Sequence, residues 1–141
     1  MKEVRYEIVK NADSSRILHL YRAAGWWQQE DLPGDLKTVD AIIANSFCFV
    51  IAIYDGEIIG MGRAISDGVS DAYIQDVTVL EQYRGQGYGK GIVRRLVQEL
   101  LKQKLQWIGL ISEPGYESFY TALGFGVMKN YTPFLFSNED I

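Results

Sequence analysis

The chain has 141 residues, 14 Lys and Arg against 18 Asp and Glu, and a formal net charge of −4. A hydrophobic share of 48% with 23% charged residues excludes a disordered chain, and the length suits one domain, expected over residues 1–141, with a buried core. The acidic balance argues against non-specific nucleic-acid binding, which rests on Lys and Arg neutralising phosphates, and it either favours a cationic substrate or serves solubility alone.

No run approaches the roughly 20 apolar residues of a membrane span, and Lys2, Glu3 and Arg5 interrupt the start. A soluble, cytoplasmic protein with no membrane partner is expected. Val4 to Val9 alternates as a first strand. Asn11, Asp13 and Ser14 offer capping groups, and Ile17, Leu18 and Tyr21 begin a helix that ends at Gly25. His19, alone on that helix, reads as a surface residue, and no metal is expected. Trp26 to Gly34 is irregular, with Pro33-Gly34 marking a turn. Its tryptophans, Trp26 and Trp27, either pack the loop onto the core or line a pocket for an apolar or cationic group.

Asp35 to Asn45 makes a second helix. Phe47 to Tyr54 and Glu57 to Ile65 are strands joined at Asp55-Gly56, a strong hairpin signal. Cys48 cannot form an intrachain disulfide and reads as a buried, inert thiol. Gly60 and Gly62 suggest a bulge or a close backbone approach. Ala72 to Leu80 is a strand, Gly87 to Lys104 a helix and Trp107 to Ser112 another strand. A helix from Pro114 to Leu123 and a last strand, or strands, between Phe125 and Phe136 complete the order. Antiparallel hairpins followed by a β-α-β crossover imply an α/β (α+β) chain with a mixed antiparallel and parallel central sheet flanked by helices.

Between the Ala72–Leu80 strand and the helix after it lies Gln82-Tyr-Arg-Gly-Gln-Gly-Tyr-Gly-Lys-Gly91. Glycines allow positive φ and close approach of a ligand, and the first helical turn leaves amides free beside a positive dipole end. This is a phosphate seat. A Walker loop would need glycine at Arg84 and Ser or Thr at Gly91. The dinucleotide fingerprint would need glycine at Lys90 or at Ile92. What fits is [QR]-x-x-G-x-[GA], as Arg84-Gly85-Gln86-Gly87-Tyr88-Gly89.

This hexad resembles the coenzyme A pyrophosphate loop of the GNAT superfamily of acetyl-CoA-dependent N-acetyltransferases. Phe119-Tyr120-Thr121-Ala122-Leu123-Gly124-Phe125, beyond one helix and one strand, is similar to the family's Phe-Tyr-x-x-x-Gly-Phe signature. The resemblance implies a single GNAT-like domain with acetyl-CoA as cosubstrate. The amides of Arg84 to Gly89 would surround the pyrophosphate, with the Arg84 side chain nearby. Lys90 either adds charge to the nucleotide phosphates or is a solvated helix lysine. Backbone groups of Val77, Thr78 and Val79 would pair with pantetheine, and the Val77 amide would be the oxyanion donor. Tyr120 would protonate the departing thiolate, its alternative being a packing residue.

The chain departs from the family at Glu113, where many members carry an asparagine that contacts pantetheine. Gln75 stands where some relatives have a glutamate, and glutamine takes no proton at neutral pH. Strand alternation puts Tyr73 and Gln75 on a face with Val77 and puts Asp76, a structural partner in the sheet, on the other. Deprotonation of the amine is therefore expected through ordered water, helped by Tyr73 or by an acidic loop residue such as Glu30. The implied function is direct acetyl transfer to a small primary amine in a ternary complex, the amine meeting Trp26, Trp27, Tyr73 and Gln75. A homodimer is admitted. The competing functions are a non-catalytic acyl-CoA-binding or regulatory module on the same fold and a protein or peptide N-acetyltransferase.

Overall fold

A computed structural model describes residues 3–138. The elements in order are β1 (Val4–Ile8), α1 (Ser14–Ala23), α2 (Asp35–Asn45), β2 (Cys48–Tyr54), β3 (Glu57–Ser66), β4 (Asp71–Val79), a 3-10 turn (Glu81–Tyr83), α3 (Tyr88–Lys102), β5 (Trp107–Leu110) and α4 (Glu117–Thr121). They divide between two compact units, Met1–Leu110 and Ile111–Ile141.

In the first unit, five strands form one sheet in the order β1-β2-β3-β4-β5. β1 to β4 pair antiparallel, and β4 and β5 pair parallel, as a crossover through α3 requires. The mixed sheet flanked by helices is the one expected from the sequence. Asp55 and Gly56, at φ 51° and 78°, make the β2–β3 hairpin turn with both central residues left-handed. Asp13 caps α1, its Oδ1 accepting from the Ser15 amide at 3.1 Å. His19 on that helix is exposed.

Each face of the sheet buries a helix layer. Ile17, Leu20 and Tyr21 of α1 and Val39 and Ile43 of α2 pack against Phe49, Ile51 and Met61. On the other face α3 buries Ile92, Val93, Leu96 and Leu100. The glycines of β3 make that approach possible. A Cβ on Gly62 would lie 2.7 Å from Ile92 Cγ2 and 3.1 Å from Leu96 Cδ1, and one on Gly60 2.9 Å from the Thr78 carbonyl. Overpacking of this kind costs about 1–3 kcal/mol. Gly62→Ala should therefore lower the denaturation midpoint in urea by that amount of stability; an unchanged midpoint would mean that α3 is free to shift outward.

The β3–β4 register breaks once. Met61 faces Thr78 and Arg63 faces Gln75, so Gly62 alone opposes both Asp76 and Val77. This is a bulge in β4, and Asp76 sits in it at φ 58°. Cys48 is buried, and burial pushes its thiol up to about 11, as befits an inert core residue. Among the described residues no helix is long and apolar enough to cross a membrane.

The second unit departs from expectation in two places. The helix expected from Pro114 begins only at Glu117, because Gly115 takes φ 93°, a left-handed conformation that cannot continue a helical turn. The strand or strands expected between Phe125 and Phe136 do not form. Asn130 is left-handed at φ 68°, Pro133 has no N–H to give a ladder, and Phe134, Leu135 and Phe136 are all exposed instead of alternating.

Candidate active site

The glycine loop is shaped by two left-handed residues. After the 3-10 turn, Gly85 takes φ 77° and Gly87 φ 88°. A Cβ at either would meet nothing within 4 Å, so these glycines leave an open surface and are not required by packing. Gly87 is the N-cap of α3, and the Gly91 amide is the first to close a helical bond, to the Gly87 carbonyl at 3.1 Å. The amides of Gly87, Tyr88, Gly89 and Lys90 are thus left without intrahelical partners, at the positive end of a 15-residue helix. Arg84 folds back so that its Nε donates to the Val79 carbonyl at 2.8 Å, locking loop to strand. The Tyr88 hydroxyl donates to Gln86 Oε1 at 3.2 Å. Lys90 is part-buried on the first turn.

Gly91 has another purpose. A Cβ there would lie 2.1 Å from Cζ of Tyr6, so this glycine seats a tyrosine of β1 against α3. Burial raises the Tyr6 hydroxyl pKa, with Tyr88 adding to the shift.

Beside this loop β4 has an edge with no described partner strand, on which the Val79 carbonyl accepts from Arg84 Nε. Its ladder with β5 runs only from Asp71↔Trp107 to Ile74↔Leu110. Gln75, Asp76, Val77, Thr78 and Val79 continue with β3 on one side and no described strand on the other. An extended ligand can add to such an edge through main-chain hydrogen bonds.

The bulge corrects the expected facing of side chains. Gln75 and Asp76 both reach the α1 side: Gln75 Oε1 accepts from Arg63 Nη2 at 3.4 Å, and Asp76 Oδ2 accepts from Arg63 Nε at 2.6 Å and from the Tyr21 hydroxyl at 2.7 Å. Val77 points the other way, its Cγ2 3.2 Å from where a Cβ of Gly62 would lie under α3. The extra residue resets the period of two after Gln75. Asp76 is a structural partner, as expected, though not on the face expected. Tyr73 stacks obliquely on Trp107, centroids 5.1 Å apart. Arg63 and Tyr21 were not among the residues expected near the site. A lone arginine after Gly62 in an otherwise apolar run was the available signal.

The two tryptophans separate. Trp27 packs on the α1–α2 core and lies 5.9 Å from the Tyr21 ring, its buried Nε1 without a described partner. Trp26 stands edge-on to the same ring at 6.3 Å and is 40% exposed. Arg22 holds their loop by donating to the Gln29 carbonyl at 3.0 Å and pairing with Asp31. Glu30 is exposed.

Tyr120 belongs to the second unit. Its ring meets Phe119 and Phe125 edge to face, at 4.8 and 5.8 Å, and the Phe125 amide donates to its carbonyl at 3.1 Å across the turn that follows α4, where Gly124 takes φ 96°. Burial, then Tyr116 and Glu113, push the phenol above its ordinary value.

A seat of unpartnered amides that any side chain at Gly85 or Gly87 would fill, next to an unpaired strand edge, fits a pyrophosphate joined to an extended amide-bearing arm. The family model for the acetyltransferase (GNAT) family matches residues 14–125. A protein of Pyropia yezoensis named as an uncharacterized N-acetyltransferase, ycf52, is 30% identical over 128 residues, covering 88% of this chain and 71% of that protein. A GNAT family protein of Streptococcus pneumoniae superposes with a TM-score of 0.80 at 22% identity, over 98% of this chain and 100% of that one. An aminoglycoside N-acetyltransferase solved with CoA does so at 0.73 and 16% identity, over 98% and 97% of the two chains. The chain belongs to the GNAT family of acetyltransferases, whose fold uses acetyl-CoA.

Proposed function

We propose that the chain moves an acetyl group from acetyl-CoA to the primary amine of a small molecule by direct attack in a ternary complex. The observation that carries this reading is the continuity of the open Gly85–Gly87 surface, the free α3 amides and the unpaired edge of β4. On this reading the amides of Arg84 to Gly89, with Lys90 beside them, hold the pyrophosphate. The backbone of Val77, Thr78 and Val79 orients the pantetheine arm. Acetyl-CoA, when bound, supplies the activated acetyl thioester. The Val77 N–H donates to the thioester carbonyl oxygen, and the Tyr120 hydroxyl gives a proton to the leaving sulfur. No carboxylate replaces Gln75, so on this reading the amine loses its proton through water, helped by Tyr73 or Glu30. The proposal extends to a cytoplasmic setting, tested by cell fractionation, and to a homodimer, tested by sedimentation.

The acceptor is assigned to the exposed Trp26 indole, which can hold a hydrocarbon body and an ammonium edge. Trp27, packed on the core, then supports the loop. A panel of primary amines assayed for free-thiol release from acetyl-CoA tests the activity. With the best amine, Trp26→Ala should raise the acceptor KM by about 10-fold, a loss of roughly 1.4 kcal/mol, and leave the acetyl-CoA KM alone. Trp27→Ala should chiefly lower stability. An acceptor KM unchanged in the Trp26 variant removes this residue from the acceptor site.

A further inference from the structure

Asp76 adopts φ 58° inside β4. A left-handed conformation costs an L-residue about 1–2 kcal/mol and persists where the surroundings over-determine it. In this kind of bulge the position is ordinarily glycine. Here an aspartate occupies it, and its side chain is held twice. Arg63 Nε, from β3, and the Tyr21 hydroxyl, from α1, both donate to the same oxygen, Oδ2, at 2.6 and 2.7 Å.

The arginine reaches further. Its Nη1 lies 3.5 Å from Ser46 Oγ at the end of α2, and its Nη2 donates to Gln75 Oε1 at 3.4 Å. The Arg63 and Asp76 side chains are 18% and 24% exposed, so salt screens the pair less than it would a surface pair. Tyr21 is buried, and its ring is the surface on which Trp26 and Trp27 both rest.

The bulge thus ties three elements together at one residue. The peptide that follows Asp76 is planar, so the direction of the Val77 N–H is set by the backbone angles of Asp76. We propose that Tyr21 and Arg63 are positioning residues: acting through the Asp76 carboxylate, they fix the Asp76–Val77 peptide in the orientation that acetyl transfer requires, and they join that peptide to the tryptophan loop. This rests on the reading of the Val77 amide as the donor to the thioester oxygen.

A merely structural cluster makes a different prediction. Glycine fits the left-handed position without strain, so Asp76→Gly would then keep full turnover. Tyr21→Phe keeps the ring under the tryptophans and removes only the hydroxyl. On the proposal, both variants fold and bind acetyl-CoA within about 10-fold of the parent by calorimetry, since the pyrophosphate loop is unchanged and the one displaced Val77 hydrogen bond is worth about 1 kcal/mol. Both lose kcat by about 10- to 100-fold at saturating acceptor, a misaligned donor forfeiting much of its effect. Both also shift the Val77 cross-peak in amide NMR spectra and speed its hydrogen exchange. An unmoved Val77 amide in either folded variant overturns the clamp, whatever the rates. An amide that moves while kcat stays intact supports the clamp's hold on the peptide and refutes the reading of the Val77 amide itself. If Tyr21→Phe fails to fold, Asp76→Gly decides alone.

Discussion

Gly87→Glu should weaken acetyl-CoA binding by at least about 100-fold, read by calorimetry on the folded variant. Two effects act together. A side chain at φ 88° strains the backbone by about 1–2 kcal/mol, pulling the N-cap away from the geometry that aims the α3 amides. The carboxylate then occupies the open surface beside those amides and competes for them as an anion. Hydrogen bonds to a charged group are worth about 1.5–3 kcal/mol each, and losing two of them corresponds to roughly 100-fold or more. Gly91→Ala makes the contrasting control, because its Cβ would strike Tyr6 and not a ligand. Unchanged affinity in Gly87→Glu would dissociate the loop from the pyrophosphate.

Tyr120→Phe should reduce kcat by about 10- to 100-fold, toward the lower range of general acid catalysis because a thiolate leaves readily, with the acetyl-CoA KM nearly unchanged. An alkyl thiol and a phenol titrate at about 8.5 and about 10 when unperturbed. Burial, Tyr116 and Glu113 raise Tyr120 above that phenol value. The phenol therefore stays protonated over the range in which the thiolate departs, and it can donate. The sign for pH follows. The parent should lose activity as the pH rises through the raised phenol pKa, whereas the phenylalanine variant should lack that alkaline fall. Equal rates for parent and variant at pH values below and above neutrality would make Tyr120 a packing residue of the aromatic cluster it shares with Phe119 and Phe125.

Most of the first unit was legible in the residues because its signals are local. Apolar spacing marked α3, Asp55-Gly56 marked the hairpin, and the glycine hexad marked the strand–helix turn. Gly60 and Gly62 announced a bulge or close contact, and both are present: α3 presses on the glycines while the bulge opposes Gly62. β3 does carry an extra residue beside Gly60, Ile59, against β2; what could not be read was the second one, in β4 opposite Gly62. Period-two alternation holds only while the ladder is regular, so the facing of Asp76 and Val77 was inverted. The partners that hold Asp76, Tyr21 and Arg63, lie 55 and 13 positions away in sequence, and no local pattern reports such pairings. The segment after Phe125 misled for the opposite reason. Its aromatic content suggested strands, and apolar composition without alternation does not specify a ladder.

Of the four glycines in the loop, Gly85 and Gly87 leave ligand space, whereas Gly91 is explained by Tyr6. The motif itself asks for glycine only at Gly87 and Gly89 and is silent on Gly85 and Gly91. The steric environments of Gly85, Gly87 and Gly91 assign these three separate purposes, with the ligand-facing surface at the start of the loop and the packing surface one helical turn later.

The most direct test of acetyl transfer follows carbon-labelled acetyl-CoA with a primary amine in the presence of the purified chain, quantifying acetylated amine by mass spectrometry and free CoA thiol in the same sample. The account predicts equal amounts of the two, rising together with time and with amine concentration. Thiol release that is independent of amine, or tight CoA binding with no acetylated amine across the panel, would contradict it.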